Sequence, residues 1–213
     1  MRLLLRGLLW VLVLGGLLVG LLRAVAIRWW QVPIDDPYLE ASIAPTLRGG
    51  DWLILWRFSP PRLGDLVMCP EPAAPERIVI GRIAGVDGDT VEVNGSTLRI
   101  NGRRVGTEGS CRDDTFSIQD PKTGEKVTQH CDMEVLGGGR HLRGNAAETP
   151  TETTSKARVD DDELFLLSDN RAFPYDSREF GPVEAVTCKE TVVFRLISAR
   201  GYGDVESRFT FIR

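Results

Sequence analysis

Few groups in this 213-residue chain could act as a base near neutral pH, and their placement bounds the chemistry. Of 26 basic residues only four are lysines, Lys122, Lys126, Lys156 and Lys189, and the two histidines are His130 and His141. A lysine serves as a base only where burial strips its proton, and arginine stays charged at any useful pH. None of the lysines lies between residues 42 and 121. The cysteines, Cys69, Cys111, Cys131 and Cys188, form no Cys-x-x-Cys pair, and neither histidine stands at a zinc-type spacing from them. No metal and no cofactor is therefore expected. The densest polar run is Ser168-Asp-Asn-Arg171, followed by Asp176-Ser-Arg178. Such a run is expected to tie loops together by charged hydrogen bonds rather than to react. Asp51, Asp65 and Asp89 each follow a glycine and read as turn residues.

The elements that must position these groups are mostly strands. The 22 glycines and 12 prolines with only 8% aromatics point to a turn-rich β protein. With 30 acids against 26 bases, a strongly basic nucleic-acid binder is excluded. Residues 3–22 carry one charge, Arg6, and as a helix would span about 30 Å, a bilayer core. Trp29 and Trp30 follow as an interfacial pair would. We read residues 1–30 as a transmembrane anchor; the alternative is a cleaved signal peptide, with Ala24-Val-Ala26 as its small-x-small site. A slight excess of positive charge at the start places the N-terminus inside and the bulk of the chain on the extracytoplasmic side. An even cysteine count in a translocated domain predicts disulfides, first of all Cys111–Cys131; Cys69 and Cys188 either pair or stay as buried free thiols.

Residues 52–58, 66–69, 77–84, 163–167 and 192–197 read as strands, Gly81 weakening the third. Two Asn-Gly dipeptides within 91–105 predict hairpin turns. Residues 106–160 are polar and rich in glycine and threonine, and are expected to be loops with little core. No helix of note is expected outside the membrane segment.

Three segments in order resemble bacterial signal peptidase I, a family of membrane-anchored serine proteases that use a Ser/Lys dyad. They are Ser42-Ile-Ala-Pro-Thr-Leu47 with Gly50-Asp51; Leu63-Gly-Asp-Leu-Val-Met68 with Gly81-Arg-Ile-Ala-Gly-Val-Asp-Gly-Asp-Thr-Val91; and Ser168-Asp-Asn-Arg171 with Asp176-Ser-Arg178 and Gly181. The resemblance implies a mostly-β domain of antiparallel sheet with an inserted β-hairpin subdomain, behind one N-terminal transmembrane helix. The core would be residues 31–93 and 161–213, and the insertion, hairpin plus polar loops, residues 94–160. It implies Ser42 as the nucleophile position, with Arg82, Asp169, Asn170, Arg171, Asp176 and Arg178 as structural support. Ile43, Pro45, Ile80 and Ile83 would line a peptide groove whose walls are strands around 39–44 and 77–84.

The departures are as informative. The position of the family's lysine holds Gly81, that of a supporting serine holds Pro174, and that of an oxyanion-hole serine holds Glu40. A serine hydroxyl is a weak nucleophile until a base takes its proton, and glycine offers none. The expected function is a signal peptidase I-like protein at the outer face of the cytoplasmic membrane, single-pass, that binds extended signal-peptide segments of exported preproteins with protease activity lost or much reduced. The alternative is an active serine endopeptidase cutting after a small-x-small motif with Ser42 and an unidentified base. Expected partners are preproteins or signal peptides, the lipid bilayer, and an active signal peptidase or the translocation machinery; nucleic acid is not among them. Arg82 is expected to pair with Asp176, and Gly81 to lie beside Ser42 with open space where a lysine stem would run.

Overall fold

The computed structural model describes residues 2–146 and 154–212. Helix α1 (Arg2–Val25) contains an 18-residue stretch, Arg6–Arg23, of mean hydropathy 1.8, long and apolar enough to cross a membrane. The chain then turns into β1 (Ile27–Gln31). A short helix α2 (Pro37–Ile43) and strand β2 (Trp52–Trp56) follow. Next come β3 (Leu66–Glu71) and β4 (Ala74–Gly85), then the small strands β5 (Thr90–Asn94), β6 (Thr97–Ile100) and β7 (Arg103–Arg104). Three longer strands succeed them, β8 (Gly106–Gln119), β9 (Lys126–Leu136) and β10 (Gly139–Ala146). Beyond lie β11 (Thr154–Arg158), β12 (Glu163–Leu167), α3 (Ser177–Phe180), β13 (Val183–Glu184), β14 (Glu190–Ile197) and β15 (Thr210–Phe211).

The main sheet runs β1-β2-β14-β3-β4-β12-β13, with β15 on β14, and every pairing is antiparallel. Its two faces bury different clusters. One gathers Leu39, Ile43, Leu47, Leu53, Leu55, Met68 and Ile80. The other gathers Val67, Val79, Ile83, Leu164 and Leu166 with Cys69 and Cys188. Strand alternation explains the division, since Val79, Gly81 and Ile83 share one face of β4 while Ile80 and Arg82 share the other. A second sheet, β11-β5-β6-β7, contains the expected hairpin turns; Asn101 and Gly102 take φ of 52° and 77°, as a type I′ turn requires.

Two expectations are corrected here. Residues 106–146 are not loops but a three-stranded sheet, β10-β9-β8. Its apolar content is low, and several of its buried side chains are polar: Gln129, Glu134 and His141 are 1%, 0% and 4% exposed. Residues 37–43 are helix, not strand. Asp36 caps α2 by accepting a hydrogen bond from Leu39 N at 3.0 Å, and Pro37 occupies its first turn, where its missing N–H costs nothing. Pro45 disfavours helix at the residue before it, and the helix stops at Ile43.

Both disulfides form. Cys69–Cys188 spans 119 residues and ties β3 to the start of β14, whereas Cys111–Cys131 spans 20 residues and links β8 to β9. Loop-closure entropy makes the longer link worth about 5 kcal/mol and the shorter about 3 kcal/mol. Thermal unfolding in detergent should therefore show a larger loss of Tm for Cys69→Ala/Cys188→Ala than for Cys111→Ala/Cys131→Ala. The reverse order would show that the insertion, not the core sheet, limits stability.

Candidate active site

Ser42 lies in the last turn of α2 and is wholly buried. Its Oγ donates to the Leu39 carbonyl at 2.9 Å, a back-bond within the helix that competes with any use of the hydroxyl. Its own carbonyl accepts from Asn170 N at 2.9 Å. The Asn170 side chain donates to Ala41 O at 2.8 Å and to Gln129 Oε1 at 2.7 Å. Ala41 and Ala44 pack against Ile118 and Phe116 of β8. The insertion sheet thus covers the helix that holds Ser42. No lysine, histidine or carboxylate among the described residues hydrogen-bonds to Ser42 Oγ.

The position of the missing base is filled rather than open. Gly81 pairs with Val67 across to β3. A Cβ at Gly81 would meet Leu166 Cβ at 3.1 Å and Leu167 N at 3.4 Å. These nearest atoms belong to β12, so a side chain at 81 would start against that strand and not in the open space expected there. Of the lysines, Lys156 pairs with Glu92 at 2.5 Å on an exposed surface, and Lys122, Lys126 and Lys189 are also exposed or half-exposed. None has the apolar burial that would neutralise it.

Arg82 is fully buried and grips Asp169, not Asp176. Its Nε and Nη2 donate to the two Asp169 oxygens at 2.8 and 3.1 Å, and Nη1 donates to Gly64 O at 2.9 Å. Thr46 Oγ1 donates to Asp169 Oδ2 at 2.5 Å. Burial pushes the Asp169 carboxyl up, but Arg82, with help from His141 and Thr46, holds it below its usual range. Asp176 instead caps α3, accepting from Ser168 N at 2.7 Å and Arg178 N at 3.0 Å, with the Arg178 guanidinium at 2.7 Å. Arg178 also donates to Arg171 O at 2.9 Å. The expected Arg82–Asp176 pair fails because a local partner two residues away already satisfies Asp176.

Sequence reasoning missed the other half of this network. Arg171 reaches Glu134 on β9. Glu134 is also 3.2 Å from His141 Nε2 and from Arg143 Nη1. Arg143 in turn holds Asp132 at 2.6 Å. Burial raises the Glu134 carboxyl, yet Arg171, His141 and Arg143 bring it down to about 2. Burial, with Arg82 nearby, lowers the His141 imidazole below its ordinary value. Simple alternation could not have marked β9, because its buried positions shift from Gln129 and Cys131 to Glu134 and Leu136 along the strand. Of the groove residues, Ile43 and Ile80 are in one core cluster and Ile83 in the other, while Pro45 borders a cavity of about 520 Å³ with Thr46, His141 and Arg195. Neither Ser42 nor Gly81 lines that cavity.

The family model described as signal peptidase, peptidase S26, matches residues 5–197. A signal peptidase I of Bacillus subtilis is 26% identical over 154 residues, covering 70% of this chain and 77% of the relative. The signal peptidase I of Pseudomonas aeruginosa is 26% identical over 178 residues, 76% of this chain but 58% of that protein's length. A probable signal peptidase I of Synechocystis is 24% identical over 92% of this chain and 86% of the relative. A crystal structure of a signal peptidase I from Enterococcus faecalis aligns over 63% of this chain and 98% of its own, at 22% identity and a TM-score of 0.38. The chain belongs to the signal peptidase family.

Glu134 titrates lower in the folded than in the unfolded chain, so its stabilisation is present above about pH 4.5 and fades as pH falls towards 2. His141, also depressed, removes stability as pH falls below 6.5. Acid titration followed by circular dichroism should show this stepwise loss, and Glu134→Gln should flatten its lower part. Gly81→Lys should overpack against Leu166 and lower stability by about 1–3 kcal/mol; an unchanged unfolding midpoint would show that β12 yields freely.

Proposed function

We propose that this member of the signal peptidase family binds extended signal-peptide segments of exported preproteins without cutting them. It does so from the outer face of the cytoplasmic membrane, held by α1 as a single anchor. The observation that carries the reading is the state of Ser42, whose hydroxyl is sealed in α2, bonded to a backbone carbonyl and without a base. Losing an acid/base group costs roughly 10²–10⁴ in rate even where the nucleophile stays accessible. Gly81 removes the base, and burial removes the access.

Binding has a different support. β12 pairs with β4 only from Arg82 onwards, so the first part of β4 has no strand partner on that side among the described residues. Beside it runs a groove of about 420 Å³ between β4 and the start of α2, lined by Asp36, Leu39, Arg77 and Ile78. An extended segment can add to such an edge by main-chain hydrogen bonds, with a shallow apolar contact choosing side chains. Ile43 and Ile80 are packed in the core behind this edge, and Ile83 is buried on the other face of β4, so none of the three is at its surface. Arg82, Asp169, Asn170, Arg171, Asp176 and Arg178 support this part of the fold by linking β4, α2 and α3.

The test is incubation of the purified chain in detergent with a labelled preprotein carrying a small-x-small motif. Wild type and Ser42→Ala should bind it equally and yield no cleaved product, and Ile78→Asp should weaken binding at least tenfold. Cleavage that disappears in Ser42→Ala would overturn the reading and demand a base brought in by rearrangement. Absence of any binding would remove the peptide-docking role.

A further inference from the structure

The end of the main sheet nearest α1 carries a compact basic cleft. The helix stops at Val25, and Ala26 O accepts a hydrogen bond from Arg57 N at 3.0 Å, which sets the end of β2 level with the end of the helix. Trp56 pairs with Ile27 on one side and with Thr191 on the other. Arg28, Arg57 and Glu190 therefore stand within three residues of the helix end, or about 10 Å at strand rise. The headgroup layer on either side of a bilayer core is about 5–8 Å thick, so these side chains reach it.

Their arrangement is held from within. Arg28 Nη1 lies 3.1 and 3.0 Å from the two Glu190 oxygens, and Arg57 Nε lies 3.3 Å from Oε1. Glu190 is 9% exposed, whereas Arg28 and Arg57 are 48% and 40% exposed. Each guanidinium offers five N–H donors, so the carboxylate aligns both while leaving most donors outward. Lys189, the residue before Glu190, is exposed. All four border a cleft of about 190 Å³ whose lining contains no other acid. Three cations to one carboxylate leave a surplus of positive charge. Trp29 and Phe58, 53% and 72% exposed, flank the same end of the sheet, and the Arg23 guanidinium stacks 4.3 Å over Trp29. Aromatic side chains at this level suit a membrane interface.

We propose that Arg28, Arg57 and Lys189 form a site for the phosphate of an anionic phospholipid headgroup, fixing the catalytic-type domain against the membrane surface. The proposal rests on the reading of α1 as a membrane anchor. It goes beyond that reading because it assigns a ligand class to side chains outside the helix. A phospholipid fits better than free phosphate because the cleft sits at headgroup depth beside exposed aromatic rings.

The full chain in neutral detergent micelles should be titrated with phosphatidylglycerol, phosphatidylcholine or inorganic phosphate, and retained ligand counted by native mass spectrometry. Phosphatidylglycerol should be retained in preference to phosphatidylcholine. Lys189→Gln leaves the two arginines on Glu190, and should lower that preference about fivefold, as expected for one cation near an anionic surface. Adding Arg28→Gln, Arg57→Gln and Glu190→Gln together should abolish it, with circular dichroism checking the fold. Equal retention of the two lipids, or an unchanged preference in Lys189→Gln, would overturn the site. Inorganic phosphate binding without any lipid preference would overturn its lipid assignment. Carbonate extraction of membranes tests the anchor separately: release of the chain would sink the anchor reading, while the micelle titration still decides the site.

Discussion

The buried pair of Arg82 and Asp169 is the constraint on which the rest of the site depends. Both side chains are wholly excluded from solvent, and each would be costly alone. Their geometry satisfies the charge by hydrogen bonds from all sides. Arg82 spends its donors on both carboxylate oxygens and on the Gly64 carbonyl, and Asp169 takes a further bond from Thr46. One ion pair thereby fixes β4, the turn before β3, the segment after α2 and the loop after β12. Once Asp169 is set, Asn170 must meet Ser42 O and Arg171 must point at Glu134. The polar run after β12 is a bracket that holds the Ser42 segment in place through Asn170.

The bracket extends into the insertion sheet. Glu134 receives Arg171 from the core and His141 and Arg143 from its own neighbour strand. Gln129 receives Asn170. Most of the polar groups buried at this junction find charged or hydrogen-bonded partners, although Arg171 Nε is left without one. This explains how a sheet with few large apolar residues is nonetheless held against the core, and why it covers α2 closely. A single sequence feature, the glycine at 81, belongs to the same logic. With no side chain there, Leu166 and Leu167 of β12 pack close to β4, 3.1 and 3.4 Å from where a Cβ would stand.

Much of the frame was legible in the chain itself. Short apolar runs marked the strands of the main sheet, two Asn-Gly turns marked the small hairpins, and three ordered motifs marked the family. The charge partners were not legible. Asp169 and Asp176 lie on one loop, and only the local capping of α3 by Asp176 decides which of them is left for Arg82. The β8–β10 sheet was hidden because several of its buried side chains are polar and the buried positions change phase along β9, so the usual apolar alternation is missing. Helix α2 was hidden by the resemblance, which implied extended chain, although Asp36-Pro37 carried a local start signal. Local chemistry won over analogy at that point.

The central claim is that Ser42 is a sealed and unactivated hydroxyl. Its most direct test is treatment of the folded, detergent-solubilised chain at neutral pH with a fluorophosphonate probe, followed by peptide mapping. The account predicts no modification of Ser42 while the fold is intact. Stoichiometric labelling of Ser42 under those conditions would contradict it, because an inert buried serine bonded to the Leu39 carbonyl cannot attack phosphorus.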